Sequence, residues 1–123
     1  MVGYSRAVRV GSHIHVSGTT AFGPDGRIVG AGDPYRQTVQ ALDNIERALG
    51  ALGSERAAIV RLRMFVTDLS RSAEVTRALA ERFPPIQPAM TLVGVTGLIE
   101  PEMLVEIEAD AEDLPAPRGT RRR

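Results

Sequence analysis

Two acidic side chains near the end of the chain are the leading candidates for chemistry. Glu106 and Glu108 stand two residues apart in the run LVEIEADA, so in a strand they point to the same face. A carboxylate that lies in a crevice with a raised pKa is able to act as a general base. Together with Asp110, however, these residues also form the ordinary pattern of a solvated strand face. Spacing alone favours the solvated face and leaves the general base as the alternative.

Other polar side chains offer weaker candidates. His13 and His15 share one strand face, as two metal ligands would, but no third ligand is near in the sequence, so surface histidines are favoured. Arg61 and Arg63 also share a face and are able to hold an anion, although a solvated face is favoured. Tyr4 precedes the first strand, where its phenol is placed to bind a ligand; simple packing is the favoured interpretation.

The composition argues against several classes of function. The chain has 123 residues, which predicts one domain, and its 15 basic side chains balance 15 acidic ones. This zero net charge argues against a nucleic-acid or acidic-membrane partner. Because cysteine is absent, disulfides, thiolate catalysis and cysteine metal sites are excluded. No nucleotide, metal or cofactor motif is found, so no cofactor and no metal are expected.

A neutral run over residues 83–99 raises the possibility of a membrane segment. The run FPPIQPAMTLVGVTGLI has no ionisable side chain, but it is short and is interrupted by three prolines and two glycines. A membrane helix needs about 20 mostly apolar residues without such breaks. No apolar leader is found at the N-terminus either. The expected location is therefore cytoplasmic, with no membrane partner.

The periodicity of apolar residues predicts the elements that position these side chains. Alternation predicts strands over residues 5–10, 13–20, 27–30, 58–68, 89–95 and 103–111. Gly11-Ser12 has the chemistry of a hairpin turn. Apolar residues three and four apart predict a helix from Pro34 to a stop at Gly53, with Asp33 as its N-cap. A second helix is predicted from Arg71 to Phe83, with Ser70 as its cap and two prolines after it.

This order of elements predicts an α+β fold with two helices on one face of a sheet. Several strands are apolar in both alternating phases, which indicates that both faces of the sheet are buried. Because two helices cover only one face, a second copy of the chain is the expected cover for the other. The folded domain is predicted over residues 1–113, and the run LPAPRGTRRR over 114–123 is predicted to be a disordered tail.

Six runs of the sequence together resemble the RidA family, also called the YjgF or reactive-intermediate deaminase family. They are GYSRAVRVG, HIHVSGTT, RQTVQALDNIERAL, MFVTDL, PAMTLVGV and LVEIEA, in the family's order, and the resemblance covers residues 3–111. The resemblance implies a chorismate-mutase-like, six-stranded mixed sheet with two helices on one face. It also implies a homotrimer with small-molecule pockets at the subunit interfaces. In deaminating members these pockets hydrolyse enamine or imine intermediates.

The resemblance also implies individual site residues. Glu106 falls where the family has a glutamate that positions the attacking water. The substrate-binding positions are Tyr4, Gly18, Met90, Thr91 and Leu92. At Met90 the deaminases have an arginine that holds the substrate carboxylate, and methionine offers only an apolar surface in its place. The resemblance therefore implies a pocket for a neutral ligand and a raised pKa for Glu106, and standard 2-iminoacid deamination is not expected.

Two functions remain open from the sequence. The first is hydrolysis of a small imine-like electrophile, with Glu106 aligning the water. The second is non-catalytic binding of a small metabolite, because the arginine is missing. Nuclease activity is not favoured, since aromatic residues make up only 4% of the chain and no basic–aromatic pattern is present for stacking bases. The expected partners are a small-molecule ligand and further copies of the chain.

Overall fold

The chain folds into a five-stranded sheet and two helices over its described residues. A computed structural model describes residues 3–83 and 87–113, so the predicted tail at 114–123 lies outside the described part. The strands are β1 (Ala7–Val10), β2 (His13–Thr19), β3 (Ile59–Val66), β4 (Ala89–Gly94) and β5 (Val105–Glu112), and the helices are α1 (Pro34–Ala51) and α2 (Ser72–Arg82). The α+β class is therefore confirmed.

The strands lie in the order β1-β2-β5-β3-β4. Neighbouring strands are antiparallel except β3 and β4, which run parallel and are connected through α2. Parallel neighbours need such a crossover connection, whereas β1 and β2 are joined by a tight turn at the predicted position. The sheet is thus mixed, and β5, the last described strand in the sequence, lies at its centre.

The short strand predicted at 27–30 is wrong. Within the described ranges, Phe22 and Ile28 form only an isolated bridge. The Gly23 N–H donates to the Arg27 carbonyl at 2.8 Å, and the Gly26 N–H donates to the Gly23 carbonyl at 3.0 Å. This tight turn joins a single pair of residues, after which the chain turns towards α1. The described residues therefore form five strands rather than the six predicted.

The first helix agrees with its prediction at both ends. The Asp33 carboxylate accepts a hydrogen bond from the Arg36 N–H at 3.1 Å, which is N-cap geometry. At the other end Gly53 has a φ of 78°, in the left-handed region that favours glycine. The Ser54 N–H then donates to the Leu49 carbonyl at 2.9 Å, which closes the helix in a Schellman motif.

The start of the second helix differs from its prediction. The carboxylate that caps this region belongs to Asp68, which accepts from the Ser70 N–H at 3.0 Å. This bond begins a 3₁₀ turn over Leu69–Arg71, and α2 begins only at Ser72. Ser70 as the helix cap is therefore wrong, because Asp68 already binds its backbone. The helix ends at Arg82 as predicted, and the prolines at 84 and 85 lie outside the described residues.

Both helices pack on one face of the sheet, as predicted. The core residues that are at most 1% exposed include Ile14, Leu42, Ile45, Leu49, Leu62, Met64, Val75, Val105 and Ile107. They come from α1, α2 and the alternate positions of β2, β3 and β5. Burying one such aliphatic side chain contributes about 1.5–3 kcal/mol. This helix-covered face therefore supplies the main apolar stabilisation of the fold.

The neutral run after Phe83 becomes the edge strand β4. Leu92 packs against the core, but the other residues of β4 are exposed in the single chain. No helix in the described ranges is long and apolar enough to cross a membrane. The run is thus a sheet edge, and its exposed apolar side chains have no cover within the described chain.

Candidate functional site

The sheet face opposite the helices, here called the open face, holds most of the candidate residues. Its side chains alternate along the strands with those of the core. They are His13, His15 and Ser17 on β2, Arg61, Arg63 and Phe65 on β3, and Glu106, Glu108, Asp110 and Glu112 on β5. The predictions that the two histidines, the two arginines and the three acids each share a face are confirmed.

A bulge in β2 brings the backbone against Glu106. The pairing of β2 with β5 shifts between Val16 and Thr19, so Ser17 and Gly18 occupy the irregular step. A Cβ placed on Gly18 would lie 2.5 Å from Oε2 of Glu106 and 2.9 Å from its carboxyl carbon. Only glycine permits this approach without displacing the carboxylate. The bulge therefore defines one wall around Glu106.

The segment before β1 lies against the same bulge. The Ser17 hydroxyl donates to the Ser5 carbonyl at 2.6 Å, and the Ser17 N–H donates to the Arg6 carbonyl at 3.0 Å. These bonds place Tyr4, which is 73% exposed, at the same end of the sheet as Gly18. Three of the predicted site residues, Tyr4, Gly18 and Glu106, thus occupy one region of a single chain.

Glu106 is half-buried and has no charged or hydrogen-bonding partner in the described part of the chain. Burial raises the pKa of Glu106 above its ordinary value, and the negative charge of Glu108 raises it further. Phe65 of β3 stands opposite Glu106 in the strand register and offers no compensating charge. The pKa of Glu106 is thus raised by burial and by Glu108 rather than by the methionine at position 90, and the carboxylate is less solvated than its spacing in the sequence indicates.

The other acids of β5 are paired across the sheet. Arg63 Nη1 lies 3.3 Å from Asp110 Oδ2 and 3.7 Å from Glu108 Oε1. Asp110 also contacts the ring nitrogen Nδ1 of His15 at 2.8 Å. Arg63 is therefore held by two carboxylates of its own chain. This agrees with the solvated face that the sequence favours for Arg63. Glu106 differs from both neighbouring acids in lacking such a partner.

The two histidines bind β5 carboxylates separately. His13 Nδ1 lies 2.5 Å from Glu112 Oε2, one register step from the contact between His15 and Asp110. No group of three or more metal-ligating side chains is found in the described residues. The two histidines act here as cross-strand partners of acids.

The remaining predicted site residues lie on the edge strand. Met90 is 37% exposed and stands opposite Leu62 in the register, whereas Thr91 stands opposite Arg63. Leu92 packs against the core. Since β3 lies between β4 and β5, a single chain does not bring this group of three residues to Glu106.

A buried glutamine that the sequence reasoning missed fixes the entry to β5. The Gln37 side-chain amide donates to the Glu102 carbonyl at 2.9 Å and to the Gly30 carbonyl at 3.2 Å. Its oxygen accepts from the Leu104 N–H at 2.9 Å, two residues before Glu106. A polar residue in helical phase with Ala41 and Ile45 was the available signal, because a buried amide needs partners.

The sequence and fold of the chain match one known family. The family model described as Endoribonuclease L-PSP matches residues 1–113. The chain belongs to this family, whose solved members include the YjgF and RidA proteins. The arrangement of two helices on a five-stranded mixed sheet is consistent with these structures.

Individual relatives support the same assignment. A solved Mycobacterium tuberculosis protein, described as a member of the YjgF/YER057c/UK114 family, is 49% identical with a TM-score of 0.82, over 90% of this chain and 87% of that one. An uncharacterized Streptomyces coelicolor protein is 36% identical over 89% of this chain and 81% of its own length. Escherichia coli TdcF, solved with bound serine, is 27% identical with a TM-score of 0.83, over 91% of this chain and 89% of that one.

Proposed function

We propose that this protein hydrolyses a small, uncharged electrophile of the imine or enamine kind, with Glu106 as the general base. The observation that supports this most directly is a half-buried carboxylate with no partner among the described residues, packed over Gly18. A structural acid is ordinarily paired or solvated, as Glu108 and Asp110 are. A carboxylate left free beside a glycine wall is available to a ligand and a water molecule.

The proposed chemistry needs one proton acceptor. Glu106 accepts a proton from water as the water oxygen bonds to the carbon of the C=N group. Nitrogen receives that proton to give a neutral carbinolamine. Glu106 then takes the proton of the carbinolamine hydroxyl and delivers it to nitrogen as the C–N bond breaks, which gives a carbonyl compound and ammonia or an amine. Because the pKa of Glu106 is raised, its carboxylate is a stronger base than an ordinary glutamate.

The proposed ligand is uncharged because of Met90. In the family's deaminases an arginine at this position holds the substrate carboxylate by a charge-assisted contact. Here the sequence is Pro88-Ala89-Met90-Thr91, and of the two arginines that share a face of β3, Arg63 already has two acidic partners. TdcF has been solved with serine, whose carboxylate is the kind of group that such an arginine suits. For this chain we propose a neutral, partly apolar ligand.

The proposed assembly is a homotrimer with its pockets between subunits. On the open face Val8 is 46%, Val10 is 61% and Val93 is 41% exposed, and on the other face of the edge strand Met90 is 37% exposed. A neighbouring subunit would cover these side chains and would bring its own Met90, Thr91 and Leu92 towards Glu106. Sedimentation should give a particle of three times the 13.3 kDa chain mass. A stable monomer would contradict the shared pocket.

The test of activity is ammonia release from two classes of imine. Neutral imines should be hydrolysed faster than 2-iminopropionate, because nothing at Met90 binds a carboxylate. The variant M90R should reverse this preference, and E106Q should lower turnover by about 10²-fold or more. Unchanged turnover in E106Q would refute the assigned role.

A non-catalytic small-metabolite binder is the second candidate, favoured by the exposed, apolar Met90 itself. In that case a neutral ligand would be recovered unaltered after long incubation, and E106Q would change only affinity. Nuclease activity is not proposed, although the family model's description names one, because four acids occupy alternate positions of β5 on the open face and would repel phosphates.

A further inference from the structure

One guanidinium on the open face is shared between two carboxylates. Arg63 stands directly opposite Glu108 in the register of β3 and β5, at 3.7 Å from its Oε1. The same Nη1 atom lies closer, at 3.3 Å, to Asp110 Oδ2. Asp110 is in turn bound by His15 at 2.8 Å. Arg63 is therefore the cation that compensates two acids, one of which is the neighbour of Glu106.

The side chains around Glu106 leave Glu108 as the charge that acts on it. At the level of Glu106 the adjacent strands offer Gly18 from β2 and Phe65 from β3, and neither is charged. The titratable and charged groups farther along the same face are His15 on β2, Arg61 and Arg63 on β3, and Glu108, Asp110 and Glu112 on β5. Among these, Glu108 is the group whose charge acts on Glu106.

We propose that Arg63 is a positioning residue for Glu106, because it compensates the charge of Glu108 and so limits the negative charge beside the candidate base. The role of Glu106 as the base rests on the function proposed above. The role of Arg63 rests on the geometry of three adjacent strands. Arg63 contacts Glu108 and stands one register step from Glu106 on the open face, so its positive charge offsets that of Glu108 at Glu106.

The proposal predicts in which direction each substitution should shift the pKa of Glu106. Glu108 raises the pKa of Glu106, so its neutralisation should lower that pKa. Removing Arg63 should raise it, because the negative charge of Glu108 is then no longer offset. Since the charges of Arg63 and Glu108 act on Glu106 in opposite directions and their fields add, the two shifts should largely cancel when both side chains are removed.

The experiment follows the side-chain carboxyl of Glu106 by NMR during a pH titration of the full-length protein labelled with ¹³C-glutamate. The Glu106 signal is identified by its absence from E106Q. In E108Q the titration midpoint should fall by about 0.5 to 1 on the pH scale, and in R63Q it should rise by a similar amount. In the double variant R63Q/E108Q the two shifts should largely cancel, so that the midpoint lies near that of the wild type. Arg61→Gln removes the same charge from the same strand face and should shift the midpoint less.

Two outcomes would overturn the proposal. One is a Glu106 midpoint in R63Q equal to that in R61Q, and the other is a midpoint in R63Q that falls or stays at the wild-type value. Backbone amide spectra show whether R63Q is folded, and the isosteric E108Q measures the effect of Glu108 on Glu106 by itself. The titration needs no substrate, so these shifts can be observed even if E106Q retains activity. In that case the proposed function fails while the control of Glu106 by Arg63 stands.

Discussion

The two faces of the sheet use alternate residues of the same strands in different ways. On the helix-covered face, β3 presents Leu62 and Met64 to a core with no exposed side-chain surface. On the open face, the intervening Arg61 and Arg63 are exposed, and Arg63 is paired with two acids of β5. The helix-covered face therefore supplies most of the stability of the fold, whereas the open face carries charged side chains that are unpaired or share a partner. A site is found where burial is incomplete, because a fully packed core leaves no room for a ligand.

The largest expected effect on stability comes from truncating a core side chain on the helix-covered face. Leu62→Ala should lower the free energy of unfolding by about 2–5 kcal/mol, since it leaves a cavity in the helix-covered core. Its neighbour on the other face, Arg61→Ala, should change stability by about 0.5 kcal/mol or less. Urea denaturation followed by circular dichroism compares the two. Equal losses of stability in the two variants would mean that the helix-covered face does not stabilise the fold more than the open face.

A smaller effect is expected where the covering helix begins. Asp33→Ala should cost about 1 kcal/mol, because the Arg36 N–H loses its acceptor. Asp33→Asn should retain most of this stability, since an asparagine oxygen accepts the same bond. The same denaturation curves measure both variants. A loss in D33N as large as in D33A would point to charge, rather than capping, as the contribution of Asp33.

A substitution at the β2 bulge should move the Glu106 carboxylate but should cost little stability. Gly18→Ala places a methyl group where the Glu106 carboxylate lies, but this carboxylate is the end of a flexible side chain and can move. The cost should be about 1 kcal/mol or less, towards the low end for overpacking. Displaced towards solvent, Glu106 should show a pKa nearer its ordinary value in the NMR titration.

Gly50 offers the matched control for that substitution. It lies near the end of α1, and a Cβ placed there meets nothing within 4 Å. Gly50→Ala should gain about 0.5–1 kcal/mol from helix propensity and should leave Glu106 unchanged. An unchanged Glu106 titration in G18A as well would show that the glycine wall does not control the carboxylate.

The smallest effect concerns pH. The folded chain binds the Glu106 proton more tightly than the unfolded chain, because the pKa of Glu106 is raised in the fold. The stability contributed by the protonated form is present below the ordinary value of 4.5 and is lost as the pH rises through the raised pKa. Glu106→Gln should remove this decline and be relatively more stable at neutral pH. Glu55→Gln, at an exposed position, should follow the wild type, and parallel curves for all three would contradict the assignment.

Local signals predicted the helices better than the sheet. Asp33 and Gly53 determine the ends of α1 by contacts within a few residues, so both could be inferred from sequence. The predicted short strand failed because the turn after Phe22 closes a single bridge. The central place of β5 depends on pairing with residues nearly a hundred positions away, and no local pattern encodes it.

The site was predictable in composition but not in arrangement. The run LVEIEADA indicates acids on one face, yet only the bulge at Gly18 and the pairing of Arg63 distinguish Glu106 from the other two. Spacing alone therefore favoured a solvated face for all three. The family resemblance selected Glu106 and Gly18, and the described chain places these two in contact.

The central place of β5 also has a consequence for biosynthesis. The hairpin of β1 and β2 and the parallel pair of β3 and β4 contact β5 on opposite edges. Until the ribosome has released residue 112, these two halves have no strand between them to hydrogen-bond. The nascent chain thus exposes two unpaired sheet edges, which chaperones bind and which favour aggregation when synthesis stalls. A chain arrested before β5 should remain protease-sensitive, and release of β5 should protect both halves in a single step.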